Sequence, residues 1–577
     1  MKSLKISTFL VFICMVLSKV TVANDWECSF DSVYALGSPI TLDVNDDAIK
    51  DIIISIGNQD TSNRFVSGVV AINGDNGSLI WRNRRKQDVF GTGKLLDVNN
   101  DNFPEIISVG RSGELFALNA KNGFLIWEFF DTGSLNSEDS GIYNFYDPQI
   151  INDVNNDNIK DILITNGGNP NAESNDTLNR YQGYLLIVNG ATGKVLAKLN
   201  SPDRRETYMA PIIHDFKNAS DPVIIFGTGG ETINGSLWSI KLSDLLSEDS
   251  TKFIKLISDS TKGFITTPSL VDINNDGFLD IIAVSFNSNI YAIDGANFEI
   301  IWTKSFPNYE SYTFPAVGLL NSDATPDIAL SIGLGVFSSY TSTLHLVLDG
   351  VNGNVLDSFS VNADFSLSSP IVFNIDADLY DEVLFFSSTA FSGIEKCNMH
   401  YVNPTKNTNQ IYDSIVDRFL FASTPLIASL NDDNYMDLIF ASTQNFMDHN
   451  TKLLNTIIHK KKIANCQLYE PAWGSIYGRN YDAKYDKNNN IPLAINNTSI
   501  APVILNFNVS YANGFVHLNQ LFDENENATV QLLNQVGQLV LETKLKRQIY
   551  IGSLTNAIYT ILVHTKDKLY VSRFVKL

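Results

Sequence analysis

The stretch DVNNDNIKDILITNG, residues 153–167, sets Asp153, Asn155, Asp157 and Asp161 close together, immediately ahead of an apolar run. Carboxylates that close repel one another unless something positive lies between them. The run that follows, rich in β-branched residues, reads as a strand. One such stretch would decide little, but this one recurs along the chain.

Aligned on its last acidic position, the stretch gives the series Asp51, Glu105, Asp161, Asp221, Asp280, Asp327, Glu382 and Asp437, at intervals mostly in the mid-fifties. Most units carry the same parts in the same order. A proline precedes a short apolar strand (Pro39, Pro148, Pro211, Pro268, Pro315, Pro370, Pro425), where it removes no ladder hydrogen bond. The acidic loop follows, then a β-rich run such as DIIISIG. A third strand ends in a turn, as in VVAINGDNG, and a fourth ends at an aromatic, as in SLIW. Four short antiparallel strands repeated eight times predict an all-β fold, an eight-bladed β-propeller. A solenoid is the main rival, but neither end of the array reads as a polar cap.

Oxygen donors at alternate positions of a tight loop suit a hard cation, and Ca²⁺ takes six to eight of them, some from backbone carbonyls. Five copies offer such sets, each with a carbonyl before the last acid. They are Asp43, Asn45, Asp47, Asp51 with Ile49; Asp97, Asn99, Asp101, Glu105 with Phe103; and Asp153, Asn155, Asp157, Asp161 with Ile159. The others are Asp272, Asn274, Asp276, Asp280 with Phe278, and the nearly full Asn374, Asp376, Asp378, Glu382 with Tyr380. The fourth copy is shorter and holds Lys217, whose ammonium is expected to replace an ion. The sixth has Leu319 at the first ligand position, and the eighth Ser429. Four or five structural Ca²⁺ sites are therefore expected, against the alternative of plain solvated Asx-turns. An EF-hand is excluded, because its twelfth position would be Ile164, inside a strand.

The loops resemble the FG-GAP (integrin α-like, VCBS-like) repeats of propeller proteins over roughly residues 24–485. A second pattern, Ala71-x-Asn73-x-x-x-Gly77-x-x-x-Trp81, returns at Ala117 to Trp127 and, with Phe298 in place of Gly, at Ala292 to Trp302. It resembles the tryptophan-docking motif of quinoprotein-like propellers. That resemblance implies indoles wedged between blades rather than a quinone pocket.

Turns one and three of such a blade share one face of the disc, so the acidic loops lie opposite the long second loops and connectors. Those long segments carry Arg84, Arg85, Arg180, Arg204 and Arg205, with Tyr143, Tyr146, Tyr208, Tyr309 and Tyr312 interleaved. Arginine forks bind carboxylates and aromatic rings stack on sugars, which makes this face the expected ligand surface, for an acidic glycan in the first instance. A merely solvated polar rim is the alternative.

The ends of the chain carry other signals. Residues 1–23 combine Lys2 and Lys5, a short apolar core and a small-residue cleavage site, as a secretory signal peptide does. Residues 486–504 form an Asn-rich linker. Residues 505–577 alternate as a small C-terminal β-sandwich would, and resemble the C-terminal sorting domain of the type IX secretion system of Bacteroidetes. The resemblance rests on Val530-x-Leu532, Gly537-Gln538-Leu539-Val540, Leu554 to Tyr559 and the final Arg573-Phe574-Val575-Lys576, although the usual Asn-Pro opening is absent. It implies export across the outer membrane to the medium or the cell surface. No segment after residue 23 is apolar enough to span a bilayer.

With 577 residues, 44% hydrophobic and 18% charged, the chain has an ordinary globular composition. A formal net charge of -22 argues against a nucleic-acid partner. Cys28 and Cys466 flank the repeats and would meet if the ring closes, or stay unpaired with Cys397. We expect a monomeric, non-catalytic adhesion or ligand-binding protein, whose partners are an extracellular glycan or protein and the secretion machinery. The rival is a polysaccharide lyase of the rhamnogalacturonan lyase type. It would need a His or Lys converging with the arginines on the loop-rich face.

Overall fold

The computed structural model describes residues 25–485 except 59–64, 130–143, 170–171, 173–175, 218, 337–338, 363–366, 377, 379, 392–393, 421, 432–434, 445–453 and 464–470. Beyond 502 it describes 503–506, 509–512, 515–518, 529–534, 539–544, 546, 548–552, 554–555, 557–564 and 568–576. The signal peptide, Tyr143, His449, Cys466 and nearly all of the linker lie outside the described residues. The strand Val503–Asn506 begins inside the stretch assigned to the linker.

The fold is all-β and a β-propeller. Among the described residues, the strands between Trp26 and Ile463 form eight antiparallel sheets. The first is Ile40–Leu42, Asp51–Ile56, Ser67–Ile72 and Leu79–Arg85 in meander order. The third and sixth carry an extra two-residue strand, Asn144–Phe145 and Tyr309–Glu310. Second and third strands are buried along nearly their whole length, because neighbouring sheets cover both faces. That is why DIIISI and YLLIV read as continuous apolar runs rather than alternating ones. Fourth strands alternate, as in Leu79–Arg85, with one side toward solvent.

The eighth sheet is completed from the other end of the array. Trp26–Asp31 pairs antiparallel with Asn455–Ile463, from Trp26 opposite Lys460 to Asp31 opposite Asn455. The indoles then link sheet to sheet. Trp26 Nε1 donates to Gly74 O (2.9 Å), Trp81 to Ala120 O (2.8 Å), Trp127 to Gly190 O (3.0 Å) and Trp302 to Gly350 O (2.8 Å). Each indole lies against the turn glycine of the following repeat, not of its own. Gly123 has φ 72°, and a Cβ there would come within 2.5 Å of the Trp81 ring.

The departures from this motif follow the same geometry. Phe298 replaces the glycine where the preceding sheet presents Ile257 in place of tryptophan, so no indole needs the space. Where Ala197 replaces tryptophan, the helix Leu242–Leu246 of the next repeat fills the gap, with Leu245 buried in the same apolar cluster.

One element was not anticipated. Residues 471–485, read from sequence as the tail of the repeat array, run along the first strands near the ring axis. Trp473 pairs with Val372 in both directions (2.9 Å), Ile427 N donates to Gly474 O (2.9 Å), and Leu270 N donates to Ala483 O (2.8 Å). Tyr477 Oη donates to Asp147 Oδ2 (2.7 Å) and Lys94 Nζ to Tyr481 O. First strands are only three residues long and end their sheets, so their backbone edges require partners. This segment supplies them to several repeats at once.

Beyond the linker, a five-stranded sheet runs in the order Val503–Asn506, Lys568–Lys576, Ala557–His564, Thr529–Leu533, Leu539–Lys544. It shares one apolar cluster, including Val516, Val530, Ile549 and Ile561, with a three-stranded sheet. No helix among the described residues is long and apolar enough to cross a membrane.

The docking geometry separates two kinds of glycine. Gly113 (φ 87°) faces open space, whereas Gly123 faces the Trp81 indole. Gly113→Ala should cost about 1 kcal/mol of backbone strain, and Gly123→Ala several kcal/mol once overpacking is added. Melting curves of the two variants check this; equal losses would mean the indole contact contributes nothing.

Candidate functional site

Two groups of side chains stand out, on opposite faces of the ring. The first is the set of acidic loops. In the first repeat, Asp47 N donates to Asp43 Oδ1 (3.2 Å), Ala48 N to Asp43 Oδ2 (2.9 Å) and Ile49 N to Asp47 Oδ1 (2.9 Å). Asp46 and Ala48 take positive φ (61° and 67°) to make this turn; the second and third repeats do the same at Asn100, Asn102, Asn156 and Asn158.

The last acid is different, being fully buried. Asp51 accepts Val44 N (2.9 Å) and, from the turn between third and fourth strands, Gly74 N (3.0 Å). Asp161 joins Val154 and Gly190 in the same way (2.8 and 3.1 Å), and Asp280 joins Ile273 and Gly295 (both 3.0 Å). Burial raises the Asp51, Glu105 and Asp161 carboxyls above the usual range and pushes Asp280 up to about 6. In the fifth loop Asp272 Oδ1 is buried with no hydrogen-bond partner. An oxygen-only donor set with an orphaned buried carboxylate oxygen fits a hard cation.

The remaining repeats neutralise the acid by other means. In the seventh, Asp376, Asp378 and Glu382 bring carboxylate oxygens within 4.8 Å of one another, the one such acidic group among the described residues. Lys406 Nζ sits on this triad, bonded to Asp376 and 2.8 Å from Asp378. In the eighth, buried Lys460 lies 3.5 Å from Asp437. In the fourth, Lys217 turns over the Phe298 ring at 5.8 Å, and Lys241 is the lysine that approaches Asp221 (3.6 Å). In the sixth, burial pushes Asp327 up to about 8.

The second group lies at the mouth of the ring on the loop-rich face. Arg180 Nη1 donates to Glu206 (3.3 and 3.4 Å to its two oxygens) and to Tyr208 Oη (2.6 Å). The Tyr208 and Tyr146 rings meet edge-to-face at 5.3 Å. Tyr312 Oη donates to Glu231 Oε1 (3.4 Å), and Lys262 Nζ joins Glu231 O to Glu310 (3.0 Å), which also accepts Tyr340 Oη (2.7 Å). Burial is the largest influence on Glu206 and pushes it up to about 7; the Glu231 charge adds to this, while Tyr208 and Arg180 oppose it. Two glycines make room for the Glu206 carboxylate. A Cβ on Gly168 would come within 2.6 Å of Oε2, and one on Gly230 within 2.9 Å of Oε1.

Of the residues expected at this face, the structure brings together Arg180, Tyr146, Tyr208 and Tyr312. Arg85 instead lies between Glu114 (2.7 Å) and Glu128 (3.0 Å), and Arg84 reaches Phe65 O (3.1 Å). Tyr309 pairs with Leu334 in a sheet, Arg204 is exposed, and Arg205 is tied by its backbone to Asp203. Sequence reading missed Glu206, Glu231, Lys262, Glu310 and Tyr340. It followed rare arginines in an acidic chain and passed over glutamates as background, although Glu206 directly follows Arg204-Arg205. The described propeller histidines stay out of the mouth. His345, His400 and His459 are buried against Ser331, Ser387 and Ser442, and His214 lies in a first strand beside the fourth acidic loop.

Glu206 has a pH signature. The folded protein holds its proton up to about pH 7, whereas the unfolded chain loses it near the ordinary glutamate value of 4.5. Between those values the folded state binds more protons, so stability falls as pH rises, by at most ~1.4 kcal/mol per unit. Chemical denaturation from pH 4.5 to 7 should show a shallower fall for Glu206→Gln than for wild type; parallel curves would refute the shift.

Solved structures resemble the chain in fold. A europium-containing methanol dehydrogenase aligns at 11% identity over 75% of this chain and 92% of that one, with a TM-score of 0.50. A quinohemoprotein alcohol dehydrogenase, ADHIIG, from Pseudomonas putida HK5 aligns at 11% over 76% of each chain (TM-score 0.48). The rhamnogalacturonan lyase YesW aligns at 12% over 82% and 80% (TM-score 0.32). No curated protein matches. Residues 26–376 match the family model for the FAM234A/B beta-propeller.

Proposed function

The chain belongs to the FAM234A/B β-propeller family, and on that premise we propose that it is an eight-bladed, calcium-binding propeller that holds a ligand without transforming it. The ligand is an extracellular glycan or protein. The observation that carries this reading is the arc of acids and aromatic rings at the loop-rich mouth, assembled from the third to the sixth repeats. Its Arg180 and Lys262 are engaged by the buried Glu206 and Glu310, which leaves the half-buried Glu231 and the tyrosines to meet hydroxyl-rich sugars rather than the acidic glycan expected from the arginines alone. Carboxylates accept sugar hydroxyls, and tyrosine faces pack against the ring. Export through the type IX machinery, guided by the C-terminal β-sandwich, and display at the cell surface or release complete the proposal.

Calcium would be held by the first, second, third and fifth loops, where no lysine ion pair to a ligand carboxylate is found among the described side chains. The seventh is a fifth site only if the ion displaces Lys406. Bound ions would neutralise the loop carboxylates and pin each first turn. Calorimetric titration should give four or five sites, and chelation should lower the melting temperature. Asp276→Asn should remove one equivalent, whereas Asp323→Asn, in the sixth loop, should remove none. A full count retained in Asp276→Asn would refute the assignment.

A second reading, a polysaccharide lyase, is favoured by one feature: Glu206, pushed up to about 7, lies beside Arg180, with Lys262 across Glu231. One experiment separates the two. The purified protein is screened on a glycan array, and any bound polysaccharide is incubated with it under ultraviolet detection. Binding with flat absorbance is the expected result. Rising absorbance, the mark of an unsaturated uronate left by proton abstraction, would make the protein an enzyme. Binding to no glycan would leave a protein ligand.

A further inference from the structure

The opposite end of the ring holds a cavity of about 570 Å³, between the first strands of the second and third repeats and the axial segment. Its volume is in the range of small-molecule sites. The polar groups around it divide unevenly. Gln149 is 95% buried, yet its Nε2 has no hydrogen-bond partner. Lys94 is equally buried; its ammonium gives one bond to Tyr481 O and lies 4.5 Å over the Tyr477 ring, leaving further protons. Lys160 stands exposed at the rim.

The carboxylates that face Lys94 already have donors of their own. Asp147 accepts Thr92 N (2.7 Å) and Tyr477 Oη (2.7 Å), and Asp482 accepts Lys484 N (3.3 Å). Asp97, at the cavity edge, accepts backbone N–H groups of its own loop. The buried lining group left without any partner is a donor, Gln149 Nε2. A buried amide without an acceptor is destabilising, and a ligand oxygen would relieve that. The rest of the wall is apolar, from Ile40, Leu95, Ile150 and Ile159.

We propose that this cavity is a second binding site, distinct from the loop-rich mouth, for a sugar acid. Its carboxylate oxygens would take the Gln149 amide and the Lys94 and Lys160 ammonium groups, and its ring would lie against the aliphatic wall. The site does not depend on the reading of the opposite face.

The test uses sodium D-galacturonate as the probe, with D-galactose (ring without carboxylate) and acetate (carboxylate without ring) as comparisons, by titration calorimetry on the full chain. Galacturonate should bind, and each comparison should bind at least tenfold more weakly. Gln149→Met should lower galacturonate affinity at least tenfold. It should leave the ligand-free melting temperature unchanged or raised, because it removes an unsatisfied buried amide; that readout also shows the variant folds. Absence of galacturonate binding, equal binding of galactose, or equal affinity in Gln149→Met would each overturn the proposal.

Discussion

Seven repeats bury a carboxylate at the end of their acidic loop: Asp51, Glu105, Asp161, Asp280, Asp327, Glu382 and Asp437, each at most 2% exposed. The rest of the ring depends on these groups. In the first, third, fifth and sixth repeats the acid joins its own loop to the turn between third and fourth strands, through Gly74, Gly190, Gly295 and Gly350. In the seventh, Asn403 Nδ2 donates to Glu382 Oε1 (2.6 Å) to the same effect. A buried carboxylate is tolerated only when its charge is compensated or removed. Some copies meet that demand with a lysine, Lys406 or Lys460. The sixth, lacking a first ligand, meets it with a raised affinity for a proton. The copies with full oxygen sets are those where a cation is proposed.

Those same turns carry the contacts between repeats. Gly74, Gly190 and Gly350 give the carboxylate their N–H and the preceding indole their C=O. One short turn thus couples the acidic loop within a repeat to the tryptophan of its neighbour. Trp26 extends the chain of contacts across the closure, where the first strand of the protein lies outermost in the last sheet. The axial segment adds a second constraint from within, by pairing with first strands that would otherwise leave backbone edges bare.

The two ends of the ring differ because different segments meet there. On the loop-rich face, second loops and connectors are free to vary in length, and they gather Arg180, Glu206, Glu231 and four tyrosines into one bonded cluster. At the other end, the acidic loops are fixed by their own hydrogen bonds. The axial segment leaves a cavity there, walled in part by Lys94, Gln149 and Lys160.

The sequence by itself determined the repeat, the strands of each unit and the all-β propeller fold. These follow from local chemistry: alternating donors, continuous apolar runs, and turn residues at fixed offsets. It also placed Arg180, Tyr146, Tyr208 and Tyr312 on one face, since strand order fixes which loops share a side. The tertiary structure alone decided which glycine receives each indole, because Trp81 and Gly123 come from different repeats. It alone showed that Lys406 and Lys460, distant from their loops in sequence, sit on the acids. Glu206 and Glu231 were invisible as partners of Arg180, since only the packing of the third repeat against the fourth brings their loops together. Residues 471–485 carry no repeat signature; they lie at the axis because unpaired first-strand edges are there to be satisfied, and no linear pattern records that.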